Sequence, residues 1–117
     1  RPWTEEQRTT LELLNSEVRK QAAILNGWVE LVPAAKALSV VLDELFEGGL
    51  RSFSSERLTT AVKEATRNGM DARMKGTVRV LHRVADLKKS IYSNNVTSAQ
   101  IDKMDEALEN EFYYASR

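Results

Sequence analysis

Apolar residues in this chain recur at steps of three and four, never for long at steps of two, and that spacing restricts it to helices. The first helix is expected from about Thr4 to Asn26. Leu11, Leu14, Val18, Ala22 and Leu25 form its apolar stripe. Thr4 and Gln7 have the spacing of a capping box, and Asn26-Gly27 supplies a stop. Pro33 suits the first turn of a second helix, where its missing N–H costs nothing. Ala34, Leu38, Val41, Leu42 and Leu45 share its inner face, and Ala37 and Val40 widen the apolar arc. This is the most apolar helix, and Glu47-Gly48-Gly49 is expected to end it with a glycine in a left-handed cap.

Ser54 or Ser55 caps a third helix carrying Leu58, Ala61, Val62 and Ala65, which Asn68-Gly69 stops. Asp71 opens a fourth, reaching about Ser93. Its two adjacent stripes are Met74, Val78, Leu81, Ala85, Tyr92 and Val80, Val84, Leu87, Ile91. A helix half covered in apolar residues is packed on both flanks, so it belongs near the centre. Gly76 within it implies close approach of a neighbour. Thr97 and Gln100 repeat the capping box, with Val96 stapling onto Ile101. A fifth helix then presents Ile101, Met104, Leu108, Phe112 and Ala115 inward. Short connections favour antiparallel neighbours. The expectation is a single all-α domain over residues 1–117, a compact antiparallel bundle of about five helices. Because it opens on Arg1, the chain is expected to be a fragment of a longer one.

Composition narrows function by exclusion. The chain is 42% apolar and 29% charged, ordinary values for a globular domain. It has no cysteine, which removes disulfides, thiolate nucleophiles and zinc-thiolate sites together. The apolar run at Val29–Leu45 is broken by Pro33, Lys36, Asp43 and Glu44, so no membrane span is expected. With no signal-peptide pattern either, the expected location is cytoplasmic. His82 is the only histidine. A phosphoryl-accepting histidine on a helical bundle would be followed by a Lys-Gly pair. Here Arg83, Val84, Ala85 and Asp86 follow, so a solvated histidine on a basic arc is the plainer reading. Ser54, Ser55, Thr59 and Thr60 read as cap and first-turn residues rather than nucleophiles, and Gly48-Gly49 lacks the spacing and the lysine of a phosphate loop. No enzyme, cofactor or metal site is expected.

Charge is more informative than any motif. The chain carries 17 basic and 17 acidic residues and is neutral overall. Residues 1–50 carry a net −3, residues 51–89 a net +6, and residues 90–117 a net −3. Lys75, Arg79 and Arg83 are four apart, so they line one ridge of the fourth helix, with Lys89 beyond them. Such a ridge binds phosphates in nucleic-acid proteins. Overall neutrality and the absence of an interleaved aromatic residue favour neutralisation by the acidic helices instead.

The opening Arg-Pro-Trp-Thr-Glu-Glu-Gln resembles the start of a Myb or SANT repeat, over Arg1 to about Leu14 only. Trp28 lies further along than such a repeat places its next tryptophan, and a third tryptophan is missing. The resemblance therefore implies a helix start with Trp3 packed at its end, and it carries no DNA recognition.

After the core is assigned, Leu13, Ile24, Trp28, Tyr113 and Tyr114 are left over. Exposed aliphatic residues beside Trp and Tyr are typical of protein-binding patches. The expected function is protein–protein interaction, as an adaptor, assembly or regulatory domain able to self-associate as an oligomer, a homodimer included. The alternative is nucleic-acid or polyanion binding through Lys75, Arg79, Arg83 and Lys89. The third is a phosphotransfer or other enzymatic role for His82.

Overall fold

The structure, a computed structural model, describes residues 3–70, 72–93, 97–100, 102, 103 and 106. Its helices are α1 (Glu5–Asn26), α2 (Pro33–Ser52), α3 (Ser55–Arg67) and α4 (Ala72–Tyr92), and no strand occurs among the described residues. A further helical start follows Thr97, whose hydroxyl accepts from the Gln100 amide at 3.2 Å while its own amide donates to Gln100 Oε1 at 2.9 Å. The expected Asp71 start, the Val96–Ile101 staple, Met104, Leu108, Phe112, Tyr113, Tyr114 and Ala115 lie outside the described residues, as does the side chain of Arg73.

The chain folds as an all-α bundle. α1 packs along α4 and α2 along α3, while α2 and α4 each also touch both remaining helices. α2 and α4 therefore form the central diagonal, with α1 and α3 outside it. Leu38, Leu45, Leu50 and Phe53 come into the core from α2 and its end, and Leu81, Val84 and Ile91 from α4. Leu14 and Val18 close it from α1, Leu58 and Ala65 from α3.

Helix starts follow the chemistry of their caps. At α1 the Thr4 hydroxyl accepts from Gln7 N at 3.1 Å, and Gln7 Oε1 accepts from Thr4 N at 2.9 Å. At α3 the Ser54 hydroxyl accepts from Arg57 N at 3.3 Å. The residue before each cap faces the fourth residue of the helix. In α3 that pair is Phe53 and Leu58, both buried in the core. In α1 it is Trp3 and Arg8, with the guanidinium 5.2 Å from the ring centroid, a cation–π contact in the place of a staple.

α2 departs from the expected single helix. Gly49 takes φ 66° and ψ −160°, a region that side chains avoid, so the regular helix stops there and Leu50–Ser52 add a short further turn. That turn buries Leu50 and Phe53, two core residues in a stretch that reads as a polar loop. Its carbonyls are clamped from α4. Lys88 Nζ donates to Phe53 O at 2.6 Å and to Arg51 O at 3.3 Å, and lies 5.4 Å from the Tyr92 ring centroid. A cation at this carbonyl-rich corner also suits the negative end of α2. Val40, at the edge of the widened apolar arc, is 53% exposed, because the arc of α2 is wider than its neighbours can cover.

Two stability changes are expected. Gly49→Ala forces a side chain into disallowed backbone at a buried site and lowers unfolding free energy by about 1–3 kcal/mol. Lys88→Met keeps the aliphatic stem but leaves the corner carbonyls without their cation, for a loss of about 1–3 kcal/mol. Urea unfolding with an unchanged m-value checks both.

Candidate functional site: the outer face of α1 and α4

Three side-chain contacts set how α1 meets α4. Gln7 Nε2 donates to Ser90 Oγ at 2.9 Å, Arg83 Nη1 donates to Glu17 Oε2 at 2.7 Å, and Thr77 Oγ1 donates to Gln21 Oε1 at 3.1 Å. As the α1 number rises the α4 number falls, so the two helices are antiparallel. Thr77 is buried, and the bond to Gln21 satisfies its hydroxyl in the interior. Gly76 makes room for it, since a Cβ there would stand 3.2 Å from Gln21 Nε2 and 3.3 Å from Oε1. The close approach expected from this glycine is present, and its neighbour is a glutamine amide.

The same register places the left-over apolar residues. At 100° per residue, Leu13, Glu17, Lys20 and Ile24 lie within about 60° of one another on α1. This flank runs on from the residues that reach α4 and turns away from the buried stripe. Leu13 is 58% and Ile24 50% exposed, roughly 16 Å apart along the axis. Between them a recess of about 290 Å³ opens across the α1–α4 seam, lined by Glu17, Lys20, Gln21, Gly76, Arg79, Val80 and Arg83. The recess thus joins α1 residues lying between Leu13 and Ile24 in sequence to two members of the basic ridge, Arg79 and Arg83.

The ridge itself divides. Arg83 is taken by Glu17, so part of the basic charge is neutralised by α1. Arg79 and Lys20 line the recess with no ion pair to any described residue. Lys75 is exposed beyond the recess, and Lys89 is exposed further round the helix, away from it. Lys20 was missed in the sequence because it belongs to the acidic first helix, and only the antiparallel register brings it to Arg79. Trp28 is half-buried and packs against the core at the turn after α1, where Leu31 and Val32 amides donate to its carbonyl at 3.0 and 2.8 Å. Leu31, in the same turn, is 76% exposed.

A second surface was not foreseen. A groove of about 440 Å³ runs between α2 and α3, floored by Ala37, Val40, Val41 and Ala61. Lys36 and Glu64 lie on its rim, and Glu44 Oε2 stands 3.1 Å from Arg57 Nη1, an ion pair without hydrogen-bond alignment. Its charges are balanced, acid for base.

His82 is exposed on the outer arc of α4, and no cluster of three or more His, Cys, Asp or Glu side chains able to hold a metal occurs among the described residues. No helix of the described residues is long and apolar enough to cross a membrane. No protein family matches the chain, and neither the curated proteins nor the solved structures contain a significant likeness to it.

The Glu17–Arg83 pair is 40–46% exposed, so its worth is small. Arg83→Ala is expected to cost about 0.2–1 kcal/mol at low salt and less in about 0.5 M salt, read from thermal unfolding at both ionic strengths.

Proposed function

We propose that this chain is a protein-interaction domain of the adaptor, assembly or regulatory kind, working from the outer face of α1 and α4 in the cytoplasm. The observation that carries the reading is the exposure of Leu13 and Ile24 on one flank, after twenty-one apolar residues among those described have been buried in the core. Aliphatic side chains left in water on one flank gain free energy when a partner covers them, at about 25 cal/mol per Å². Scattered apolar residues are ordinary on a protein surface. Two on a single line, flanking a polar recess at the seam of two helices, form a surface that one partner can span. The half-buried Trp28 lies just beyond the Ile24 end and supports that end of the face.

Balanced total charge fits this reading better than nucleic-acid binding, which draws on a large positive excess. No catalytic step is assigned to His82.

The test is retention of cellular proteins by the immobilised chain, together with its mass by light scattering. Leu13→Asp with Ile24→Asp is expected to keep the helical content and the unfolding midpoint while removing the retained proteins or the self-association. If assembly is unchanged in this variant, the reading is wrong.

A further inference from the structure

We propose that the partner of the α1–α4 face is an acidic amphipathic helix. The proposal rests on the protein-interaction reading above and names the chemistry of what binds. Charge complementarity carries it. Lys20 and Arg79 line the recess without an ion pair among the described residues, while Arg83 in the same recess is held by Glu17 at 2.7 Å. The recess thus offers two uncommitted cations, one from each helix, on a face that is otherwise closed by its own contacts. Leu13 and Ile24 are not part of its lining, but they lie on α1 before and after the residues that are, eleven residues apart and both exposed. That separation is close to three helical turns, so a helix laid along the seam meets both with apolar residues three turns apart. Its acidic residues on the turns between then face Lys20 and Arg79.

A nucleic-acid strand fits the same face less well. It would leave Leu13 and Ile24 uncovered, since its backbone offers charge and no apolar side chain. The α2–α3 groove is the larger apolar surface, but with Lys36 and Arg57 set against Glu44 and Glu64 its charge is balanced and favours neither an acidic nor a basic partner.

The experiment uses the whole chain and a fluorescent helical peptide of about 18 residues, roughly 27 Å long, with leucines three turns apart and glutamates between them. Binding is followed by anisotropy. The acidic peptide is expected to bind and to weaken with added salt, and the same peptide with lysines for glutamates is expected not to bind. Lys20→Glu with Arg79→Glu should weaken binding about tenfold, and Lys20→Ala with Arg79→Ala should weaken it less. Leu13→Ser with Ile24→Ser should weaken it about fivefold at unchanged salt dependence. Circular dichroism confirms that each variant stays folded, as substitution at exposed positions permits. The proposal is overturned if the charge-reversed chain binds the acidic peptide as tightly as the native one. It is equally overturned if the peptide does not bind, or if a short RNA duplex binds through Lys20 and Arg79 in its place. Should Leu13 and Ile24 still govern protein retention while the acidic peptide fails, this inference falls and the broader reading stands. If neither retention nor peptide binding depends on them, both fall.

Discussion

The register between α1 and α4 is the constraint on which the described surface depends. It is fixed where the buried Thr77 hydroxyl meets the Gln21 amide over Gly76, because an unpaired hydroxyl in the interior is costly and few slips of one helix past the other would satisfy it. Glu17–Arg83 and Gln7–Ser90 follow the same register nearer solvent, where they add direction more than energy. Moving α1 by one turn would separate Lys20 from Arg79, which line one recess. The outer face is thus a product of one interior polar contact and the small residue that admits it.

The opposite side of the bundle is organised by backbone rather than by side-chain polarity. Gly49 breaks α2 so that Leu50 and Phe53 turn into the core, and Lys88 holds the resulting corner by its carbonyls. Phe53 then serves twice, as core and as the residue preceding the Ser54 cap of α3. The corner and the α1–α4 seam meet in α4, which carries Thr77 toward one end and Lys88 toward the other.

Much of the fold was legible because helix chemistry is local. The Thr4–Gln7 and Thr97–Gln100 boxes and Pro33 at a first turn each depend on residues within a few positions of one another, whereas Gly49, expected to end α2 as a left-handed cap, only breaks it, and the helix runs on to Ser52. The apolar periods of α1 and α4 take in every buried apolar residue described on those helices, while Ala22, Val78, Ala85 and Tyr92 are half-buried and the buried Thr77 stands outside the period. What was not legible is non-local. Nothing in the polar run Arg51–Ser55 announces that Phe53 is buried, since a lone aromatic in a loop carries no period. Val40 belongs to the apolar arc of α2 and is left uncovered only because of where α3 lies. Leu13 and Ile24 stood out as left-over positions, and the basic ridge stood out as a period of four. That Lys20 lines one recess with Arg79 and Arg83 depends on a pairing of helices far apart in sequence.

That separation has a kinetic side. The Glu44–Arg57 contact between α2 and α3 closes a short stretch of chain, whereas Gln21 to Thr77 and Gln7 to Ser90 span 56 and 83 residues. Loop-closure entropy rises with the logarithm of the span, so the seam between α1 and α4 is the costlier closure. Non-local pairings of this sort slow folding, whereas a local helical hairpin forms quickly. The face made by α1 and α4 is therefore a property of the closed chain and of no fragment of it. A ligand that grips both helices at once would stabilise the native state by mass action, since it has no counterpart to hold in the open chain.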